Sequence, residues 1–407
     1  MTVACDFLVV GGGIAGASLA CELASHAHVV LIEREVRPGY HTSGRSAAMY
    51  IESYGNAAVR ALTAASRAFF DDPPEGFSDY PLLSPRACLT IAREGQEVAL
   101  AAVAEQLAQT GAAFREIDGA AACSLFPLLR PEAAVSAVLE PDSADIDVGA
   151  LHQGYLRLGR ARGVELRCDA ALAGLERARD AWRAKLPGGE TILAGRIVNA
   201  AGAWADDVAA LAGAERLGLT PKRRTVILVD PPAAAAISDW PTVLDADEQF
   251  YFKPQSGMIL ASPCDETPSL PVDAAPEEID IAVCVDRIQA AADLPVRRIA
   301  RSWAGLRTFA PDSTPVFGED PDFAGFFWFA GQGGYGMQTA PAAARLGAAL
   351  ALGLPVPDNM AARGISAATF SPIRLRDVSE KAGKLTAVDQ EILAGDVARS
   401  GAAQERA

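Results

Sequence analysis

Three glycines and one acid carry the first recognisable chemistry of the chain. Gly11, Gly13 and Gly16 form a GxGxxG spacing directly behind the apolar run 7–10, and Glu33 follows 22 positions after Gly11, at the end of a second apolar run, 29–32. Each position has a physical role. The first glycine makes a tight turn, the second lets backbone approach a pyrophosphate, and the third lets helix and strand pack closely. The pyrophosphate would sit on the helix N-terminus and the acid would take a ribose hydroxyl. An acid rather than an arginine at position 33 argues against a 2′-phosphate, hence against NADP. The stretch GYHTSGRSAAMYIESYG, 39–55, comes only a few residues later. Its glycines, hydroxyls and small side chains suit backbone lying along a ligand that extends past the pyrophosphate. The ribityl chain and ring of a flavin are such a ligand, so FAD is the expected cofactor.

Two arginines offer a second chemistry. Arg223 in PKRRT and Arg307 in WAGLRTF stand among apolar or aromatic neighbours. A guanidinium matches a carboxylate with two parallel hydrogen bonds and stays charged at any working pH. By residue type alone, such arginines could equally be ion-paired surface groups. Other chemistries find little support. The seven cysteines are odd in number without a CxxC pair, and none of the four histidines has HxxxH spacing, so reduced thiols and no metal site are expected. With 51 acidic against 36 basic residues the net charge is −15, which weighs against nucleic acid or an anionic membrane as partner. No charged segment precedes the first apolar run, and Glu22 or Arg345 interrupts the longer ones. A soluble cytoplasmic protein without membrane span is expected.

The blocks GGGIAGAS, GYHTSGRSAAMY, PLLSPR, ALHQGYLR, VNAAGAWAD, LGLTPKRR, FYFKP, SWAGLRTFAPDSTPVFG and GQGGYGMQTA together resemble the FAD-dependent D-amino acid oxidase superfamily, with particular likeness to bacterial D-arginine dehydrogenases. The resemblance runs to about residue 375. It implies an FAD contact set beginning at Gly11, Gly13, Ile14, Ala15, Gly16, Glu33 and Arg34. That set continues through His41, Thr42, Ser43, Gly44, Arg45, Ser46, Ala47 and Ala48. It adds Leu172, Ala201 and Gly202, then Gly333, Gly336, Met337 and Gln338. The FAD would be noncovalent despite His41. The resemblance further implies that Arg223 and Arg307 bind the substrate carboxylate, with the neighbour Arg224 as the competing register. Tyr54 and Tyr251 would close the pocket, and the Gly334 carbonyl would face the substrate amine. Met49 and Cys88 stand where the D-arginine enzymes carry a histidine and a glutamate. A guanidinium buried against Met and Cys would lack its counter-ion, so a neutral side chain is expected.

The elements that must position these groups read as an α/β (α+β) fold. An FAD-binding Rossmann-like domain would be interleaved with a substrate domain on a mixed β-sheet. The expected division is FAD-binding 1–80, substrate 81–144, FAD-binding 145–213, substrate 214–304 and FAD-binding 305–365, with a C-terminal extension over 366–407. A helix is expected from Gly149 to about Arg162. Function is expected to be oxidative deamination of a small-molecule D-amino acid to an imino acid, then a 2-oxo acid and ammonia. An N-methyl or secondary amino acid, a 2-hydroxy acid and a non-catalytic flavoprotein subunit are the alternatives. The electron acceptor stays open among quinone, dye and oxygen.

Overall fold

The computed structural model describes residues 2–232 and 236–376. Its opening motif folds as the glycine spacing requires. The apolar strand Thr2–Val10 runs into the turn Gly11–Gly13, then into the helix Ile14–Leu23. Strand Val29–Ile32 is buried along its whole length, as a central parallel strand must be. It pairs in parallel with Thr2–Val10 on one side and with Glu165–Arg167 on the other. Thr191–Asn199 pairs in parallel with the other edge of Thr2–Val10. Its first half takes the antiparallel strand Ala181–Lys185, and its last three residues take Phe326–Ala330. The result is an eight-stranded, mainly parallel sheet. Helix Gly336–Ala351 crosses Ile14–Leu23, and Leu19, Leu23, Ala342, Ala343 and Leu346 share one buried cluster with Val9 and Val29. The expected helix at 149–162 is Val148–Ala161, capped by the Asp147 carboxylate on the Ala150 N–H.

A second eight-stranded sheet stands over the first. Its order runs Ile299–Phe309, Thr220–Val229, Met258–Ser262, Tyr251–Gln255, Thr242–Asp245, Cys88–Ala92, Ser136–Glu140 and Arg115–Asp118. All pairs are antiparallel except Thr242–Asp245 with Cys88–Ala92. Helix Glu278–Ala291 covers the face away from the first sheet, where Cys284 and Ile288 join Ile227, Phe252 and Ala261 in the core. A small three-stranded sheet, Met49–Tyr50, Ala144–Ile146 and Leu83–Pro85, fills the corner between the two. Strands of the two large sheets alternate along the sequence, which is the interleaving expected.

The segment expected to begin a C-terminal extension is docked at its start. Phe370 and Leu375 are buried, and Phe370 stacks on Phe317 with ring centroids 5.2 Å apart. Arg374 and Arg376 bind Asp312 and Asp320. Residues 366–376 therefore belong to the folded body. The sequence hid this because two apolar anchors in a polar stretch show no helical or strand period. The remainder of that expected extension, 377–407, lies outside the described residues.

Candidate functional site

Between the two large sheets run three adjoining cavities of about 970, 860 and 790 Å³, counting their solvent-open mouths. The first two share Gly13, Thr42, Ser43, Ala200 and Gly202. The second and third share Ser46, Ala47, Arg224, Tyr251, Arg307, Gly334 and Met337. They therefore form one elongated space, with the glycine turn where the first two meet.

The first end is built by the strand–turn–helix unit. Gly11 adopts φ +107°, and a Cβ there would meet the Ala200 carbonyl oxygen at 2.5 Å. At Gly16 a Cβ would stand 1.9 Å from the Gly11 oxygen, so the third glycine is a packing requirement and does not line the cavity. The helix starting at Ile14 has no side-chain cap on its own Gly13 and no acid in its first turn. The Ile14 N–H donates to Ser43 Oγ at 2.8 Å. Glu33 is buried, and its carboxylate accepts from the Gly12 and Glu35 N–H groups, each at 2.9 Å. Arg34, Leu172, Ala201 and Gly202 line the same end. Trp204, which sequence reasoning did not single out, lies beneath the Arg34 guanidinium at 4.7 Å and beside His41 at 4.6 Å between ring centres. His41 lines this end and not the middle cavity, and its Nε2 lies 2.9 Å from Glu35 Oε1.

In the middle cavity Ile14, Ala15, Thr42, Ser43, Arg45, Ser46 and Ala47 face Gly333, Gly336 and Met337. Thr42 Oγ1 donates to the Leu306 carbonyl at 2.7 Å, and Arg45 donates to the Ala304 carbonyl at 3.0 Å, which pins the 39–46 segment to the second sheet. Gly44 packs against the Gly39 carbonyl and does not reach the cavity. Thr308 on the same wall keeps a buried hydroxyl that finds no hydrogen-bond partner among the described residues.

The third cavity gathers the groups expected to meet substrate, with two corrections. Arg307 donates to Tyr54 Oη at 3.0 Å, and no described carboxylate pairs with it. A Cβ on Gly334 would touch the Arg307 guanidinium at 2.9 Å and Tyr54 Oη at 3.1 Å, so its backbone lies against both. The first correction concerns the second arginine. Arg307 pairs in register with Lys222, and Gly305 with Arg224, so Arg224 shares the face of Arg307 and Arg223 points to the reverse. Arg223 there binds Asp280 at 3.0 Å and also Glu277, on the covering helix and the residue before it. Arg224, its Nε on the Asp265 carbonyl at 2.9 Å, lines the cavity. The second correction concerns Cys88. The cavity stops at Thr242 and Met49, where Thr242 Oγ1 donates to Met49 Sδ at 2.9 Å. Cys88, one strand beyond Thr242, is fully buried behind that contact, and burial pushes its thiol well up.

Tyr251 faces the cavity from the next strand but one, its phenol pushed up by burial. Ala48, Ile51 and Gln338 complete the wall, and Gln338 is fixed by Thr63 Oγ1 at 2.9 Å. Three further groups stand at or beside this cavity. Tyr335 packs edge-on against Tyr54 with centroids 4.9 Å apart. Glu248 lines the cavity from an exposed turn with φ +55°. Lys253 lines it from within, 2% exposed. Lys253 was legible, because it stands two residues after Tyr251 and strand alternation puts both on one face.

A model of the family described as FAD dependent oxidoreductase matches residues 6–350. The chain belongs to that family. FAD is its cofactor, and the glycine cradle, the helix N-terminus without an acid in its first turn and the partnerless Thr308 hydroxyl fit that group. Among curated relatives, rat (Rattus norvegicus) mitochondrial dimethylglycine dehydrogenase is 25% identical over 52% of this chain and 27% of its own length. The 4-methylaminobutanoate oxidase (formaldehyde-forming) of Paenarthrobacter nicotinovorans is 25% identical over 82% of this chain and 42% of its own. The chain thus spans well under half the length of these relatives. In fold, it is similar to L-proline dehydrogenase from P. horikoshii, with TM-score 0.79 and 21% identity over 93% of this chain and 99% of that one. None of these three proteins is named for D-arginine. No helix among the described residues is long and apolar enough to cross a membrane.

Proposed function

We propose that this FAD-dependent oxidoreductase is an enzyme that oxidises the amine-bearing carbon of an amino acid held by its carboxylate. Arg307 carries the reading. A guanidinium set deep between two sheets, with a phenol and no carboxylate for partner, calls for an anionic ligand. Arg224 on the same face adds a second guanidinium, itself paired with Glu266 at 3.2 Å, and Tyr54 and Tyr251 supply hydroxyls beside it. The Gly334 carbonyl would accept from the substrate amine and so fix which bond is presented. When bound, FAD supplies the two-electron acceptor that converts the amine to an imine, which water then hydrolyses to a 2-oxo acid and ammonia. The chain's own contribution is positioning, by gripping one end of a small molecule in a closed space.

The resemblance in sequence favours a D-amino acid, and the far wall disfavours a cationic side chain. That wall is Met49, Thr242 and Lys253, and the Lys253 ammonium would repel a guanidinium. The names of the dimethylglycine and 4-methylaminobutanoate relatives support a second reading, an N-methyl amino acid as substrate. Anaerobic stopped-flow bleaching of the bound flavin separates these readings. The panel is D- and L-methionine, D- and L-glutamate, D-arginine, sarcosine, dimethylglycine and a D-2-hydroxy acid, with D-glutamate counted beside D-methionine. Fastest bleaching by D-methionine supports the first reading, and fastest bleaching by sarcosine or dimethylglycine the second. Bleaching by the hydroxy acid alone, or by none, overturns amine oxidation.

A further inference from the structure

Lys253 is the unusual group of the substrate cavity. Strand Tyr251–Gln255 places it two residues after Tyr251, on the same face and about 7 Å further along. The residue is almost wholly buried, yet it lines the cavity that also contains Arg307. An ammonium has three hydrogens to donate. One goes to Asp145 Oδ1, and no second acceptor is present among the described residues. Asp145 is already shared, because Arg86 Nε binds its other oxygen. The trio Arg86, Asp145 and Lys253 therefore holds two cations and one anion. Two further acids line the cavity, Asp245 and Glu248, and neither hydrogen-bonds to Lys253. Asp245 accepts from Gln96 and from the N–H groups of Asp247 and Gln249, so its oxygens are taken. Glu248 is exposed on its turn.

We propose that Lys253 selects the substrate's side chain, its ammonium taking a terminal hydrogen-bond acceptor, a carboxylate ahead of a carboxamide. The proposal deepens the function given above and rests on reading this cavity as the substrate site. The substrate class is then an amino acid with an acidic or amide side chain, anchored by Arg307 and Arg224 at one end and by Lys253 at the other. Lys253 is thus a specificity residue, remote from the bond that reacts.

The test is ligand binding to the FAD-loaded protein, read from the shift of the flavin absorbance. Glutarate and pentanoate, which differ only in the distal carboxylate, are titrated into the parent and into Lys253→Met. Glutarate should bind about tenfold more tightly than pentanoate in the parent, the worth of a charge-assisted hydrogen bond, and equally in the variant. Should Lys253→Met fail to load FAD, Lys253→Gln replaces it and should lose the same preference. Equal binding in the parent, or a preference that survives in the variant, overturns the proposal. Flavin reduction by glutamate and methionine is measured in parallel. A Lys253-dependent glutarate preference without reduction by any amino acid would leave the selectivity intact and sink the oxidation reading.

Discussion

At the residue scale, arginines on opposite faces of one sheet have opposite duties. Arg307→Met should lower kcat/KM by two to three orders of magnitude at unchanged FAD content, since losing a buried charged partner costs about 3–5 kcal/mol. Arg223→Met should act on stability instead. It leaves Asp280 unpaired, about 1–3 kcal/mol, while flavin reduction stays within about threefold because the side chain points away from the cavity, to the opposite face of the sheet. Parallel steady-state kinetics and thermal melts check both, and a kinetic defect in Arg223→Met equal to that of Arg307→Met would contradict the assignment. The sequence identified Arg307, Tyr54, Tyr251 and Gly334 as groups that meet in one cavity. It misassigned Arg223 because neighbouring residues on a strand differ only by face. The face is set by pairing with a strand some eighty residues away, which the local pattern does not contain. Cys88 was displaced for a related reason. It lies on the expected side of its sheet, but the Thr242–Met49 contact closes the cavity in front of it.

At the scale of elements the glycine turn makes the most specific demand. Gly16→Ala would drive a methyl group into the Gly11 carbonyl, so the helix must shift away from the strand. Purified Gly16→Ala should carry far less FAD than the parent by absorbance, and full occupancy would contradict the packing role. Strand Ser136–Glu140 makes a different demand. Burial pushes the Glu140 carboxyl up to about 7 although Ser53 donates to it at 2.7 Å. A folded pKa above the unfolded one means that the folded state holds the extra proton between roughly pH 4.5 and 7. Stability from this group therefore falls as pH rises through that window and stays lower above it. Glu140→Gln keeps an acceptor for Ser53 and removes the charge. Its Tm should exceed the parent's at pH 8 by more than at pH 5, and a pH-independent difference would contradict the assignment. Elements such as Val29–Ile32 and Val148–Ala161 were legible because apolar period and capping residues are local. The docking of 366–376 was not, since Phe370 and Leu375 gain meaning only from Phe317 and the core they fill.

At the scale of the whole molecule the cofactor space is the seam between two sheets, with Gly13 and Ala200 on one side and Arg224 and Arg307 on the other. A ligand filling it binds the folded state alone, so Tm should rise with added FAD and fall on its removal. His41 stands at the end of the space away from Arg307, facing Glu35, so the FAD should be held without a covalent bond. Acid precipitation should leave the yellow colour in the supernatant, and colour retained in the pellet would contradict this. The central claim is that Arg307 and Arg224 hold a carboxylate while the neighbouring carbon is oxidised. The most direct measurement compares anaerobic flavin reduction by an amino acid and by the amine that lacks only its carboxylate, such as methionine and 3-methylthiopropylamine. Reduction by the amino acid should run at least about a hundredfold faster, the worth of about 3 kcal/mol of binding at the clamp. Equal rates for the two would show that the carboxylate is not what these arginines hold.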